Sequence, residues 1–275
     1  MIPFAKTEPA TFRVDRLTAG PMVARAEAMF SERIGRPAVA VSSCAAALYM
    51  AIKLSGVTEI VIPPMTHRAI VDAAKMAGVK YSFGLGNTSV HLVGVRDPRP
   101  VLIEDAATGL GVKNVGKHGE YACFSFHPSK ELTCGEGGML VLDDPEPARK
   151  MRSFQGEFGF NFRMTEMQAA VLVQGLEKLD GTLAKRRANH SLYCEILGLA
   201  PSSTYCYRWV GTSIAKRALQ AQLENVVETK VHYPPLAPEA MQLYECALDL
   251  PVGPHLTEED IVHICHKVQE CELRW

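Results

Sequence analysis

Long apolar runs, paired cysteines and any surplus of charge are missing from this sequence, and each absence removes a class of function. No hydrophobic stretch approaches the roughly 20 residues that a membrane helix requires, and the opening M-I-P-F-A-K-T-E-P lacks the apolar core of a secretion signal. Lys plus Arg number 29 against 30 for Asp plus Glu, so no net field draws the chain to nucleic acid or to a membrane. Local clusters such as Lys185-Arg186-Arg187 read as a solvated helix face. A cytoplasmic protein is expected. The eight cysteines stand at irregular spacings with no C-x-x-C pair, and Cys123, Cys194 and Cys265 fall in apolar segments where a reduced thiol packs as a small hydrophobe. Neither a structural disulfide nor a metal site is expected, because His263, Cys265 and His266 lie on an amphipathic helix without a second ligand pair. Internal repeats and low-complexity segments are absent too. What is present is 275 residues, 47% hydrophobic and 21% charged, enough for a substantial core and two domains.

The stretch that organises the rest runs from Phe124 to Gly138, F-S-F-H-P-S-K-E-L-T-C-G-E-G-G. An apolar strand over Tyr121 to Phe126 leads into Pro128, Lys130 and then Gly135, Gly137 and Gly138, which allow a sharp turn. Lys130 therefore falls at the carboxyl end of a strand, where open α/β sheets bind ligands. A lysine in a partly apolar pocket has its pKa lowered, and its neutral amine can attack a carbonyl. Taken alone, a loop lysine is more often a solvated surface charge. Twenty-five positions upstream, a second apolar strand, Val101-Leu102-Ile103, runs into Glu104 and Asp105. A lysine and a carboxylate at two strand ends match the needs of pyridoxal phosphate, whose aldehyde binds an amine and whose ring nitrogen is kept protonated by an acid.

On these residues the chain resembles the DegT/DnrJ/EryC1/StrS family of pyridoxal-phosphate aminotransferases, which make amino sugars. The resemblance rests on F-S-F-H-x-x-K-x-x-T-x-G-E-G-G and on I-E-D-A-A, and it extends in the same order over nearly the whole chain. It implies a fold-type-I α/β protein, a three-layer αβα large domain with a small C-terminal α/β domain; the division into 1–180, with an N-terminal arm, and 181–275 is placed at Gly181, where a break or kink in the long helix is expected. Catalytic roles pass to Lys130, as the Schiff-base lysine and proton carrier, and to Asp105, at the ring nitrogen.

Other cofactor contacts follow from the same likeness. Ser43, Cys44 and Ala45 stand where the family has its phosphate loop, although read alone Ser42-Ser43-Cys44 is a plain helix cap. Cys44 replaces a usual glycine and Ala45 a usual threonine, so weaker anchoring is expected. Ser125 and His127 belong to the lysine run, with Ser125 expected on the phosphate. His67 occupies the place of the aromatic that stacks on the ring, and Thr108 replaces the Gln or His that reaches the phenolic oxygen. G-F-N-F-R-M-T-E-M-Q-A-A implies that Asn161 crosses to a neighbouring subunit's phosphate, hence a homodimer with shared sites.

The region from Val79 to Pro100 departs most from the family, with only 79–83 and 89–95 strand-like, so a reduced sheet is expected. Ala237 also replaces the histidine that follows the family's P-P-L. Periodicity places helices over a segment carrying Val23, Ala26, Met29 and Phe30, over Ala47 to Leu54, from Pro145 to Phe154 and from Thr165 to about Leu197. Beyond Gly181, strands are expected at Tyr205 to Val210 and Glu228 to Tyr233, a helix at Ile214 to Val226, and a last helix capped by Thr257 and Asp260. The resemblance implies an aminotransferase that moves an amino group from an amino acid, glutamate foremost, to a keto acceptor such as a nucleotide-linked sugar. The missing segments leave open a decarboxylase or lyase acting on an amino-acid-like group of a bulky substrate, and a non-catalytic regulatory relative.

Overall fold

A computed structural model describes residues 1–6, 14–17, 20–152 and 160–272. The expectations for Phe154, for Gly159 and for part of the N-terminal arm lie outside these residues. The first helix, α1 (Pro21–Ile34), starts on a proline at its first position and stops at Gly35, whose φ of 77° suits a residue without Cβ. Then follow β1 (Ala38–Val41), α2 (Cys44–Ser55), β2 (Glu59–Ile62), α3 (Ala69–Ala77), β3 (Lys80–Phe83), β4 (Thr88–Val90), β5 (Val101–Asp105), β6 (Gly119–Ser125) and β7 (Gly138–Val141). The chain continues through α4 (Glu146–Arg152) and the 32-residue α5 (Glu166–Leu197) to a last unit of β8 (Cys206–Val210), α6 (Ser213–Leu223), α7 (Met241–Cys246), β9 (Ala247–Pro251) and α8 (Glu258–Glu272).

The main sheet has the order β1-β7-β6-β5-β4, with β4, β5 and β6 parallel and β7 antiparallel to both neighbours. Strand alternation divides the core into two layers. Ala38, Ala40, Ala122, Phe124, Met139 and Val141 face α1 and α5, while Val39, Val41, Cys123 and Leu140 face α2, α3 and α4. Helices thus cover both faces, the expected αβα arrangement, and the burial of a side chain such as Phe124 contributes roughly 1.5–3 kcal/mol. The reduced region takes a specific form. β2 and β3 pair parallel as a separate ribbon, tied to the main sheet through side chains: Asn87 Oδ1 accepts from Val61 N at 2.8 Å and Thr88 Oγ1 donates to Val61 O at 2.5 Å.

Two expectations for the later chain need correction. The helix α5 runs through Gly181 without a break; the roughly 1 kcal/mol cost of an exposed helical glycine is outweighed by the Thr165–Gln168 capping box and by a buried stripe from Ala169 to Leu183. Residues 228–233 form a single bridge, Lys230 to Asp249, rather than a strand. The partner of β8 is instead β9, whose five residues are all buried. The Thr257–Asp260 cap is reciprocal, at 2.9 and 3.1 Å, and Ile261, Ile264, Cys265 and Val268 are fully buried.

Candidate active site

Lys130 is placed by a loop pinched shut at its base. Phe126 N donates to Gly137 O at 2.9 Å, while Phe126 O accepts from Thr133 Oγ1 at 2.8 Å and from Cys134 N at 3.1 Å. Inside the loop Lys130 N reaches His127 O at 2.9 Å, and Gly135 turns the return path at a φ of 87°. The side chain faces a cavity of about 300 Å³ shared with Ser43, His67, Asp105, Ser125 and Tyr205. Burial lowers the Lys130 pKa, against the opposing pull of Glu131, Cys44 and Asp105, so more neutral amine is present than for a surface lysine.

Of the two acids at the end of β5, only Asp105 enters the cavity. Glu104 points to the other face, where its carboxylate is consumed by the amides of Gly116, His118 and Gly119 at 2.8–3.0 Å and by His91 Nε2 at 2.8 Å. Asp105 is 3% exposed and accepts only from Ala107 N at 3.0 Å among the described hydrogen bonds to its side chain. Burial raises its pKa against the pull of that amide, Lys130 and His67. A buried carboxylate short of donors favours a cation, the role a protonated ring nitrogen fills.

The anion end of the cavity is the first turn of α2. Ser43 Oγ caps it by accepting from Ala46 N at 3.1 Å, and the next amides, at Cys44 and Ala45, have no helical carbonyl to reach. Gly138 lets this turn sit directly on β7: a Cβ there would lie 2.5–2.7 Å from the backbone of Ser43 and Cys44. The cradle therefore exists only because residue 138 is glycine. Gly138→Ala is expected to displace the Ser43–Cys44 peptide and reduce catalytic rate by about 10²-fold, the cost of a misplacement near 1 Å. Titration of the cofactor into the variant, followed by absorbance, checks that the loss lies in its retention.

His67, Ser125 and His127 line the cavity as expected. His67 Nδ1 accepts from Ala69 N at 3.1 Å, which fixes the ring, and Tyr233 meets it edge-on at 5.5 Å. Burial lowers its pKa, so it presents a neutral imidazole suited to stacking. His127 shares Nδ1 with Ser129, 3.0 Å from its hydroxyl. Thr108 is directed elsewhere: it is 2% exposed, donates to His91 O at 2.6 Å and accepts from Gly94 N. A hydroxyl so close to a buried carbonyl is held in the core, and Ala107 lines the cavity in its place. Asn161 is exposed, holding Arg163 N and Nε through Oδ1 at 3.1 Å each, and does not line this cavity.

Four lining residues, Tyr205, Lys230, His232 and Tyr233, come from the small C-terminal unit and were not singled out by sequence. Their one signal was an aspartate within the apolar run A-L-D-L-P, since Asp249 anchors His232. Among the described residues, no group of three or more His, Cys, Asp or Glu could hold a metal, and no helix is long and apolar enough to cross a membrane.

The cavity fits pyridoxal phosphate: a desolvated lysine, a buried acid, and a helix N-terminus resting on a glycine. Known proteins give the same direction. GDP-perosamine synthase of Escherichia coli O157:H7 is 24% identical over 309 aligned positions, covering 85% of each chain. In three dimensions, Helicobacter pylori PseC, an aminotransferase involved in pseudoaminic acid biosynthesis, superposes with a TM-score of 0.85 at 22% identity, over 95% of this chain and 94% of that one. The sugar aminotransferase CalS13 of Micromonospora echinospora gives 0.84 at 20% identity, over 98% of this chain and 100% of that one. The DegT/DnrJ/EryC1/StrS aminotransferase family matches residues 6–83 and 99–269, skipping the stretch around β4, and the chain belongs to that family.

Proposed function

We propose that this chain moves an amino group from an amino acid, glutamate foremost, to the keto group of a nucleotide-linked sugar. It is an enzyme of the aminotransferase type, and its cofactor is pyridoxal 5'-phosphate. The observation that carries the reading is the convergence of Lys130 and Asp105 on one cavity floored by the Ser43 turn. When bound, the cofactor supplies an aldehyde and a cationic ring that withdraws electrons from the substrate's α-carbon.

The protein's own residues have separate tasks. Lys130 would hold the aldehyde carbon, and its Nζ, when free, would take a proton from the substrate's α-carbon. Asp105 would keep the ring nitrogen protonated, and its burial would exclude the water that weakens such a pairing. The Cys44 and Ala45 amides with the Ser125 hydroxyl would bind the phosphate, and His67 would cover one ring face. Incubation of holoenzyme with glutamate is expected to convert the cofactor to its amine form with one 2-oxoglutarate released per site. Release of carbon dioxide, or an unchanged spectrum with every amine offered, would contradict the proposal.

The dimer belongs to the same proposal. Asn161 is exposed beside Phe160, which is 43% exposed and stacked on Phe162 at 5.7 Å, a surface suited to a second copy. Asn161→Ala is expected to weaken cofactor retention about tenfold, near 1.4 kcal/mol, with the dimer intact by sedimentation. A fully active monomer would contradict the shared site. The division into 1–180 and 181–275 is likewise proposed, with α5 common to both units.

A further inference from the structure

A second lysine, Lys230, lines the cavity, and the cofactor contacts do not account for it. Its backbone is fixed on β9: Lys230 N donates to Asp249 O at 3.1 Å, and Lys230 O accepts from Asp249 N at 2.8 Å. Its side chain is held from the other end of the sequence. Ile2 N donates to Val226 O at 2.9 Å, Ile2 O accepts from Glu228 N at 2.7 Å, and Pro3 O accepts from His255 Nε2 at 2.9 Å. Phe4 N then donates to Glu228 Oε2 at 3.0 Å, which leaves Glu228 Oε1 facing Lys230 Nζ at 3.3 Å. That ammonium sits over the Phe4 ring, 4.9 Å from its centroid, and Phe4 itself is buried. An aromatic face and a carboxylate thus give the side chain a defined place at the cavity wall.

The charges of the cavity leave this ammonium a task. Among the described residues, the lysines, aspartates and glutamates lining it are Asp105, Lys130, Glu136 and Lys230, and no arginine lines it. Asp105 and Lys130 have the cofactor roles given above, and Glu136, with a largely exposed side chain, repels anions. An amino acid that brings its amine to the aldehyde brings a carboxylate into the same cavity, one carbon away. Taking that carboxylate out of water without a counter-charge is unfavourable. Lys230 supplies the counter-charge. Its present pair with Glu228 is about two-fifths exposed on both sides, and so open a pair contributes little, so the ammonium can exchange Glu228 for a substrate carboxylate. Lys230 also acts on Lys130 as a like charge, which a carboxylate bound between them would screen.

We propose that Lys230 receives a carboxylate of the amino donor and so selects an amino acid over an amine that has none, an inference that rests on the donor being an amino acid. Lys230 is a specificity-determining residue, and Phe4 and Glu228 position it. The first residues of the chain therefore take part in donor recognition: they carry no motif, but their pairing with residues 226–228 sets where the ammonium stands.

The test compares wild-type, Lys230→Met, Lys230→Arg and Glu228→Gln holoenzymes in single-turnover conversion with glutamate. Lys230→Met keeps an apolar stem on Phe4 and is expected to raise half-saturation about tenfold with the saturating rate changed less than about threefold, the pattern of binding lost equally from ground and transition states. Lys230→Arg keeps the charge and is expected to stay within about threefold of wild type in half-saturation. Glu228→Gln removes the competing carboxylate and is expected not to raise half-saturation; if Lys230 served only to seat Phe4 through Glu228, both variants would weaken the donor alike, and the proposal would be overturned. With butylamine, which has no carboxylate, wild type and Lys230→Met are expected to agree within about twofold, and an equal tenfold loss there would also overturn it. Calorimetric titration with glutarate, the carbon chain and carboxylates of glutamate without the amine, reads binding without turnover. Affinity about tenfold weaker in Lys230→Met supports the assignment; equal affinity, or no binding by wild type, overturns it. Failure of the wild type to react with glutamate contradicts the function proposal instead, and the glutarate titration still decides the role of Lys230.

Discussion

Lys130→Ala is expected to abolish the near-visible absorption of the lysine-bound cofactor and to lower amino transfer by at least about 10⁴-fold, the upper end for a lost acid–base group. Two functions disappear together, the covalent hold on the aldehyde and the carriage of a proton at the α-carbon. The fold should be indifferent to the change. The loop is closed by backbone and Thr133 contacts to Phe126, none of which involves the lysine side chain. Removing it forfeits a cation–π contact of roughly 0.5–2 kcal/mol and relieves the desolvation that lowers its pKa. These oppose each other, so thermal unfolding of the cofactor-free variant is expected to match wild type within about 1 kcal/mol. An inactive but unfolded variant would point to a structural lysine instead.

Asp105→Asn is the second large effect, expected to slow transfer roughly 10³-fold, as for removal of one electrostatic group aimed at developing charge. The amide oxygen can still accept from Ala107 N, now 3.0 Å from Oδ1, so the turn after β5 survives. What is lost is the negative charge that holds a proton on the ring. Cofactor binding should change far less than rate, and equilibrium uptake measured beside single-turnover conversion separates the two. Glu104→Gln should do the reverse. It weakens the buried attachment of the 116–119 turn and costs stability, leaving the chemistry of folded molecules intact.

Much of the site could be read from the chain because its parts are local. Lys130, Asp105 and the Ser43 turn each sit at the end of a short apolar strand, and a strand end fixes where the next side chain goes. Even the choice of Asp105 over Glu104 follows from strand alternation once β5 is placed. Thr108 misled because its hydroxyl could serve either the cavity or the core, and the nearer partner, His91 O, takes it. Gly181 misled because glycine weakens a helix only slightly, while the contacts of α5 with α1 and α8 sustain it along its length.

The residues that escaped sequence reading share a different property. Tyr205 meets His232 across 27 positions and His232 meets Asp249 across 17, with no spacing rule to join them. Their register is set by the β8–β9 pairing, which places Arg208 opposite Asp249. A charged residue inside a wholly buried strand was the only local sign, and taking 228–233 as the strand hid it.

The central claim is that Lys130, and no other lysine, holds the cofactor. Lys230 lines the same cavity and is the natural rival. Reducing the holoenzyme with borohydride and mapping the peptides by mass should place the pyridoxyl adduct on the peptide containing Lys130, with Lys230 unmodified. An adduct on Lys230, or none on any lysine of a protein with cofactor bound, would contradict the account.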